Sequence, residues 1–220
     1  MKKSEKNNHT NHKPFSPSEL IIKRSIDIIG GLVGTLCFAL IFIALVPFYI
    51  FSPKKDKGPI LYTQKRYGKN GKPFKIIKFR TMIVNSDQYW DSHPDVYLLY
   101  KKNGNKLAND PRVTKIGKFI RNKSLDEFPQ FINVLLGQMS LVGPRPILEF
   151  EIPEYGHHIH KLWFSKPGIT GHWTTHGRSK ILFPERAELE LMYNKHHGLI
   201  YDIKCLGLTL SQTINGEDAY

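Results

Sequence analysis

From Ile28 to Phe51 the chain runs for 24 residues without a charged side chain. As an α-helix this run is about 36 Å long, against about 30 Å for the hydrocarbon core of a bilayer. Helices of soluble proteins are shorter and carry a polar face, and a secretory signal has a shorter apolar stretch followed by a small-residue cleavage site. The run therefore predicts a membrane-anchoring helix.

Basic residues lie on both sides of this run: Lys23 and Arg24 before it, and Lys54, Lys55 and Lys57 after it. The positive-inside rule favours a cytoplasmic position for both flanks, which a re-entrant helix satisfies. Such a helix needs a break, and Pro47, which lies near the end of the run, can supply one. These residues leave open whether the helix re-enters or spans the membrane.

Two polar features of the same segment predict contacts. Asp27 follows Lys23 and Arg24 at helical spacing, so we expect an ion pair at the membrane interface. Gly30 and Gly34 form a G-x-x-x-G pattern, which permits close helix packing but is also common as ordinary membrane glycine.

Charge narrows the choice of partner. The 220-residue chain has 32 Lys+Arg against 19 Asp+Glu, a formal net charge of +13. This balance favours a polyanion: nucleic acid, anionic lipid headgroups or phosphorylated small molecules. Residues 54–80 hold ten basic residues and one acid, and each cation near an anionic leaflet adds about 1 kcal/mol of adhesion. Hydrophobic content of 40% excludes wholesale disorder, and two cysteines exclude a disulfide framework.

The remaining pattern predicts an α+β fold in three segments. Residues 1–17 are polar and predict a disordered cytosolic lead, 18–53 form the membrane-anchoring helix, and 54–220 form a cytosolic domain.

Within the cytosolic domain, Pro59–Thr63 and Phe74–Phe79 predict short strands joined by a hairpin turn at Asn70-Gly71. Residues 83–109 are typical of a mobile loop or a short helical insert. The apolar spacing after Ile181 predicts two amphipathic helices.

The strongest chemical signal is the pair of neighbouring acids Asp126 and Glu127. Apolar spacing predicts a short helix that begins near Asp126, with Pro129 in its first turn. One interpretation is purely structural, because Ser124 and Glu127 match a capping box. The other is functional, because the pair lies within a basic cluster: Arg112, Lys115, Lys118, Arg121, Lys123 and Arg145. Carboxylates among cations suit a divalent metal and a phosphorylated substrate, and an ionised carboxylate can attack phosphorus.

Arg145 is the best candidate for binding phosphate. Pro144 and Pro146 fix the backbone on both sides of it, and a guanidinium presented in this way suits bidentate phosphate binding. The alternative is a rigid turn with a solvated arginine.

Four motifs in order resemble the bacterial sugar transferases, the monotopic phosphoglycosyl transferases: Lys78-Phe-Arg-Thr-Met82, Ser124-Leu-Asp-Glu127, Met139-Ser-Leu-Val-Gly-Pro-Arg-Pro146 and Lys166-Pro-Gly-Ile-Thr-Gly171. The resemblance runs from about Ile22 to the C-terminal Ala-Tyr. It implies the catalytic unit alone, without the additional N-terminal membrane helices of longer members.

The resemblance implies transfer of a sugar-1-phosphate from a UDP-sugar to polyprenyl (undecaprenyl) phosphate, the first step in assembling an exopolysaccharide, capsule or other glycan. Asp126 would be the nucleophile that forms a covalent aspartyl-phosphosugar, and Glu127, with Asp126, would hold Mg²⁺. Arg145 would bind phosphate, with Arg121, Arg80 and Arg112 as further candidates.

The resemblance also implies a re-entrant helix in the cytoplasmic membrane, a cytosolic catalytic domain and amphipathic helices at the lipid interface; a homodimer stays open. The sequence departs from the family in one respect, since the mid-helix Ser-Pro break falls here on Ala39-Leu40. Pro47 would have to replace that break, or the helix would bend less sharply.

Two other classes of function compete. A membrane-tethered nucleic-acid-binding protein would explain the charge, but it needs basic residues interleaved with aromatic ones on a reading element and gives Asp126 and Glu127 no role. A non-catalytic scaffold would use Gly30 and Gly34 as a contact face. We expect the transferase and no nucleic-acid partner.

Overall fold

The computed structural model describes residues 15–103, 107–177 and 181–215; most of the predicted lead lies outside them. Helix α1, Pro17–Ile50, begins at a capping box in which Ser16 and Glu19 bond reciprocally. It is long and apolar enough to cross a membrane. The helix continues through Pro47 to Ile50, so the break expected at Pro47 does not form.

The predicted hairpin is confirmed. Strands β1, Leu61–Tyr67, and β2, Pro73–Phe79, pair antiparallel with Leu61 opposite Phe79. A turn with Asn70 at φ 59° joins them, a conformation that asparagine tolerates. The prediction of Pro59–Thr63 for the first strand was wrong in its bounds. Pairing with β2 extends β1 through the charged Lys65 and Arg66, which an apolar pattern does not reveal.

The segment after the hairpin contains a short 3₁₀ turn, Gln88–Ser92, and helix α2, Pro94–Lys102. The alternative of a short helical insert is therefore confirmed, apart from residues 104–106, which lie outside the described ranges.

Helix α3, Lys115–Asn122, leads into the acidic pair, which lies on a 3₁₀ turn, Leu125–Glu127. The prediction of a helix starting near Asp126 was wrong, since α4 spans Gln130–Leu135 with Pro129 as its N-cap. The capping box at Ser124 does not form either. Ser124 adopts a left-handed conformation, φ 52°, and its side chain makes no capping hydrogen bond.

A second small sheet pairs β3, Ser140–Val142, in parallel with β4, Gly168–Thr170. Its strands continue into a tight crossing at which a Cβ on Gly168 would lie 2.1 Å from the backbone nitrogen of Gly143. Only glycine fits so close a backbone approach.

The chain is completed by a 3₁₀ segment, Glu149–His158, and four helices: α5, Ile159–Leu162; α6, His172–Thr175; α7, Glu185–His196; and α8, Leu199–Asn215. Helices α7 and α8 confirm the two helices predicted after Ile181.

Helix α1 packs closely against the rest of the chain, as its glycines permit. A Cβ on Gly34 would lie 2.2 Å from the ring of Phe131 on α4, and one on Gly30 would lie 2.5 Å from Leu141 on β3. The close packing expected of the glycine pair is present, and its partner is the chain's own domain.

The expected pairing of Asp27 with Lys23 and Arg24 was wrong. Asp27 is buried and accepts hydrogen bonds from the Ser140 hydroxyl at 2.9 Å and the Leu141 N–H at 2.8 Å. The two cations bond to acceptors on other elements. Lys23 pairs with Asp202 of α8 at 2.5 Å, and Arg24 donates to two carbonyls at the end of α4. Partners on other elements of the fold therefore replace the expected ion pair within α1.

The far end of α1 is attached to the same domain. Phe38 and Phe42 pack on Phe79 with ring centroids 5.6 and 6.3 Å apart. The buried Tyr49 hydroxyl donates to the carbonyl of Arg80. The domain therefore contacts α1 from Lys23 to Tyr49.

Candidate active site

A cavity opens where the hairpin, the acidic turn, the loop after β3, and α6 meet. Its wall includes charged and polar side chains from these four elements and from the start of α4: Arg66, Lys78, Asp126, Glu127, Gln130, Arg145 and Trp173. The structure therefore brings together the three residues on which the sequence prediction chiefly depends: Asp126, Glu127 and Arg145.

Lys78 is the cation nearest to the acidic pair. Its Nζ lies 3.1 Å from Glu127 Oε1 and 3.7 Å from Asp126 Oδ2. Pairing of β2 with β1 fixes this position on the hairpin. Lys78 belongs to the Lys78–Met82 motif, but no pattern in the sequence predicts a role for it in the site.

Burial raises the pKa of Asp126, and the charge of neighbouring Glu127 raises it further, whereas the charges of Lys78 and Arg121 lower it. The cations therefore favour the ionised carboxylate, which is the nucleophilic form. Arg121 acts at a distance, since its Nε donates to the Thr81 hydroxyl at 2.9 Å.

Arg145 lines the same cavity. Its guanidinium carbon is 5.2 Å from the ring centroid of Trp173, and Arg186 lies 5.0 Å from the same ring. Two guanidinium groups next to one indole hold Trp173 in place by cation–π attraction.

Arg66 is a buried cation of the cavity that was not among the residues predicted from the sequence. Burial, followed by the charge of Arg145, lowers its pKa to about 10. Its Nη1 lies 3.8 Å from Glu151, which also pairs with Arg186 at 3.3 Å. Arg186 in turn donates to Glu190 at 2.8 Å. This network joins β1, the Glu149–His158 segment and α7, so no local pattern could have shown it.

The other two arginine candidates, Arg80 and Arg112, do not line the cavity. The buried Arg80 donates to the carbonyls of Pro59, Met82 and Asp56 at 2.6–2.8 Å. Arg112 forms a bidentate pair with Asp110 and lies 3.9 Å from the Trp90 ring centroid. Their placement gives no support to the prediction that they bind phosphate, because their donors bond to protein acceptors outside the cavity.

Comparison with known proteins identifies the family. The family model described as bacterial sugar transferase matches residues 18–216. The chain belongs to the bacterial sugar transferase family.

This sugar transferase resembles several curated relatives. It is 41% identical over 210 residues to the galactosyl transferase CpsE of Streptococcus agalactiae, covering 94% of this chain and 45% of the relative. It is 36% identical over 219 residues to the UDP-glucose:undecaprenyl-phosphate glucose-1-phosphate transferase of Escherichia coli, covering 94% and 43%. It is 35% identical over 202 residues to the exopolysaccharide production protein ExoY of Rhizobium meliloti, covering 90% and 88%. The chain thus spans less than half the length of the first two relatives.

The donor set of this sugar transferase fits Mg²⁺. Asp126 and Glu127 offer two adjacent carboxylates, and the described part of the chain holds no cluster of three metal-ligating side chains. Mg²⁺ is commonly held by one or two carboxylates together with substrate phosphates. The Nζ of Lys78 lies within 3.7 Å of both carboxylates, so both oxygens already face positive charge.

Proposed function

We propose that this sugar transferase transfers a sugar-1-phosphate from a UDP-sugar to undecaprenyl phosphate, at the start of exopolysaccharide or capsule assembly. The observation that carries the proposal is a buried carboxylate, Asp126, in a cavity whose other charged groups are Glu127 and three cations. Two relatives support the class of reaction by name, one a galactosyl transferase and one a UDP-glucose:undecaprenyl-phosphate transferase. Family membership favours this proposal over the nucleic-acid-binding and scaffold alternatives.

The reaction has two steps. An oxygen of Asp126 forms a bond to the phosphorus next to the sugar, and the bond from that phosphorus to the bridging oxygen breaks, so UMP leaves with the electron pair. A phosphate oxygen of the lipid then attacks the same phosphorus, and the bond to Asp126 breaks, which restores the carboxylate. Arg66, Lys78 and Arg145 compensate the phosphate charge.

Glu127 and Asp126 would hold Mg²⁺ on the substrate side of the cavity. When bound, Mg²⁺ neutralises phosphate charge. Removing divalent ions with a chelator should abolish UMP release and added Mg²⁺ should restore it; full activity in the chelator would contradict this role.

We also propose that α1 lies in the cytoplasmic leaflet with both of its ends on the cytosolic side, an arrangement that needs no break at Pro47, and that the catalytic domain lies in the cytosol. Contacts between the domain and α1 run from Lys23 to Tyr49 and support this topology. If α1 crossed the bilayer, a domain attached along its whole length would have to lie within the bilayer. The side of α1 away from the domain is apolar and exposed: Ile28, Ile29, Leu32, Val33, Leu36, Leu40, Ile43, Phe48 and Ile50.

The topology can be tested by labelling in a background without native cysteines. The new cysteines of the variants Ser18→Cys and Lys54→Cys should both resist a membrane-impermeant maleimide added to intact spheroplasts. Both should react after permeabilisation. Reaction at one of the two positions in intact spheroplasts would show that α1 spans the membrane.

The chemistry is tested by Asp126→Asn. Because the carboxylate is the nucleophile, UMP release should fall at least about 1000-fold. With radiolabelled UDP-sugar and no lipid acceptor, the wild type should acquire label on the protein and the variant should not. Asp91→Asn, an exposed site on the Gln88–Ser92 turn, is the matched control. Near-normal turnover by Asp126→Asn would refute the assignment.

The stability of Asp126→Asn separates lost chemistry from lost folding. The folded state raises the pKa of Asp126, so the unfolded chain ionises first as pH rises and the ionised carboxylate costs stability above the folded pKa. The variant should therefore melt at the same temperature as wild type or higher at neutral pH. The difference in melting temperature between variant and wild type should vanish in acid, below the pKa that Asp126 has in the unfolded chain.

A further inference from the structure

Gln130, the first residue of α4, carries a buried side-chain donor that the proposed reaction does not yet use. The residue is 3% exposed and lines the cavity beside Asp126 and Glu127. Within residues 15–103, 107–177 and 181–215, its Nε2 has no hydrogen-bond acceptor. A buried N–H without an acceptor is destabilising, so its presence in a cavity indicates a group that is completed by a ligand.

Two further N–H donors of the same cavity share this condition. Arg66 Nε and Trp173 Nε1 are buried and, among the described residues, have no acceptor. The three donors come from β1, α4 and α6, so one loop cannot satisfy them together. A ligand that suits them is rich in acceptor oxygens and anionic, since Arg145 and Lys78 line the same wall. The diphosphate of a nucleotide sugar has these properties.

We infer that Gln130 is a substrate-binding residue whose carboxamide donates a hydrogen bond to a phosphoryl oxygen of the UDP-sugar diphosphate. This inference rests on the proposed function. A neutral donor has an advantage at this position, because it binds a phosphoryl oxygen without adding a cation that would pair with Asp126, as Lys78 does at 3.7 Å.

Gln130→Met tests the inference, because methionine has a similar shape and no donor. The matched control is Gln88→Met, the same change at an exposed position on the Gln88–Ser92 turn. Three quantities are measured: the dissociation constant of UDP with Mg²⁺ by calorimetry, the KM for UDP-glucose or UDP-galactose in UMP release, and Tm.

In Gln130→Met, the dissociation constant of UDP and the KM should rise on the order of 10- to 100-fold, as expected for a lost hydrogen bond to a charged group. Its Tm should stay the same or rise, because the substitution removes an unsatisfied buried donor. A structural role would instead lower Tm and leave the affinity of the folded protein unchanged.

Affinity for UDP within twofold of wild type in a folded Gln130→Met would overturn the inference, as would failure of the wild type to bind UDP. A different result would contradict the proposed function. If wild type and Gln88→Met bind UDP but release no UMP from either UDP-sugar, the chain does not catalyse the proposed transfer. The UDP affinities then still decide the role of Gln130.

Discussion

The arginines of this protein belong to two regions that differ in how fully protein groups accept the hydrogen bonds of their guanidinium groups. Around Arg80 the chain provides them all: three carbonyls receive its guanidinium, and the Tyr49 hydroxyl bonds the Arg80 carbonyl in turn. In the cavity, Arg66 donates through Nη1 and Nη2 to the Pro146 carbonyl and the Gln64 side chain. Its Nε, and Nε2 of Gln130 in the same cavity, have no acceptor among the described residues. Protein carbonyls therefore accept from Nε, Nη1 and Nη2 of Arg80, whereas the cavity keeps N–H donors that a ligand could satisfy. This difference distinguishes a structural cation from a binding one.

Arg80→Met should give the largest effect, and it should be on stability. Three carbonyls, one of them buried, would lose their donor, so we expect a loss of about 3 kcal/mol in the free energy of unfolding. Urea denaturation in detergent measures it, with Lys102→Met on the exposed side of α2 as control. The folded fraction should keep its KM for UDP-sugar. A raised KM with unchanged stability would place Arg80 in the binding region after all.

Arg145→Met should show the opposite pattern. Loss of a charge-assisted contact to phosphate should lower kcat/KM for UMP release about 100-fold. Stability should change less than in Arg80→Met, because Arg145 is only half-buried. Arg145→Lys should recover part of the activity, since it keeps the charge but not the bidentate geometry. Equal losses of stability in Arg145→Met and Arg80→Met would remove the distinction between the two regions.

Lys78→Met should give the smallest effect, and it should depend on pH. Burial and the charge of Glu127 raise the pKa of Asp126, and Lys78 opposes them, so its removal raises that pKa further. The acid limb of kcat/KM should therefore move to higher pH, with activity recovering as the solution becomes more alkaline. A pH profile of UMP release measures the shift. An unmoved acid limb would show that Lys78 does not control the ionisation of Asp126.

Predictions from the sequence succeeded where the signal was local. Helix α1 follows from one apolar run, and the hairpin follows from two strand patterns around Asn70-Gly71. The acidic pair lines the cavity, and its catalytic role stays a prediction. The predictions failed where the partner was distant. The helix expected at Asp126 begins at Gln130, because Ser124 turns left-handed and Pro129 becomes the cap.

By itself, the sequence determined that the chain has a long apolar helix, a hairpin and an acidic pair among cations, because each depends on neighbours a few residues apart. Only the tertiary structure decided which cations lie near the carboxylates and which donate their hydrogen bonds to backbone carbonyls. The pairs involved, such as Lys78 with Glu127 or Lys23 with Asp202, are 49 and 179 residues apart in sequence. A charged side chain pairs with the acceptor that folding brings nearest, so identical arginines acquire their roles from the packing of the elements around them.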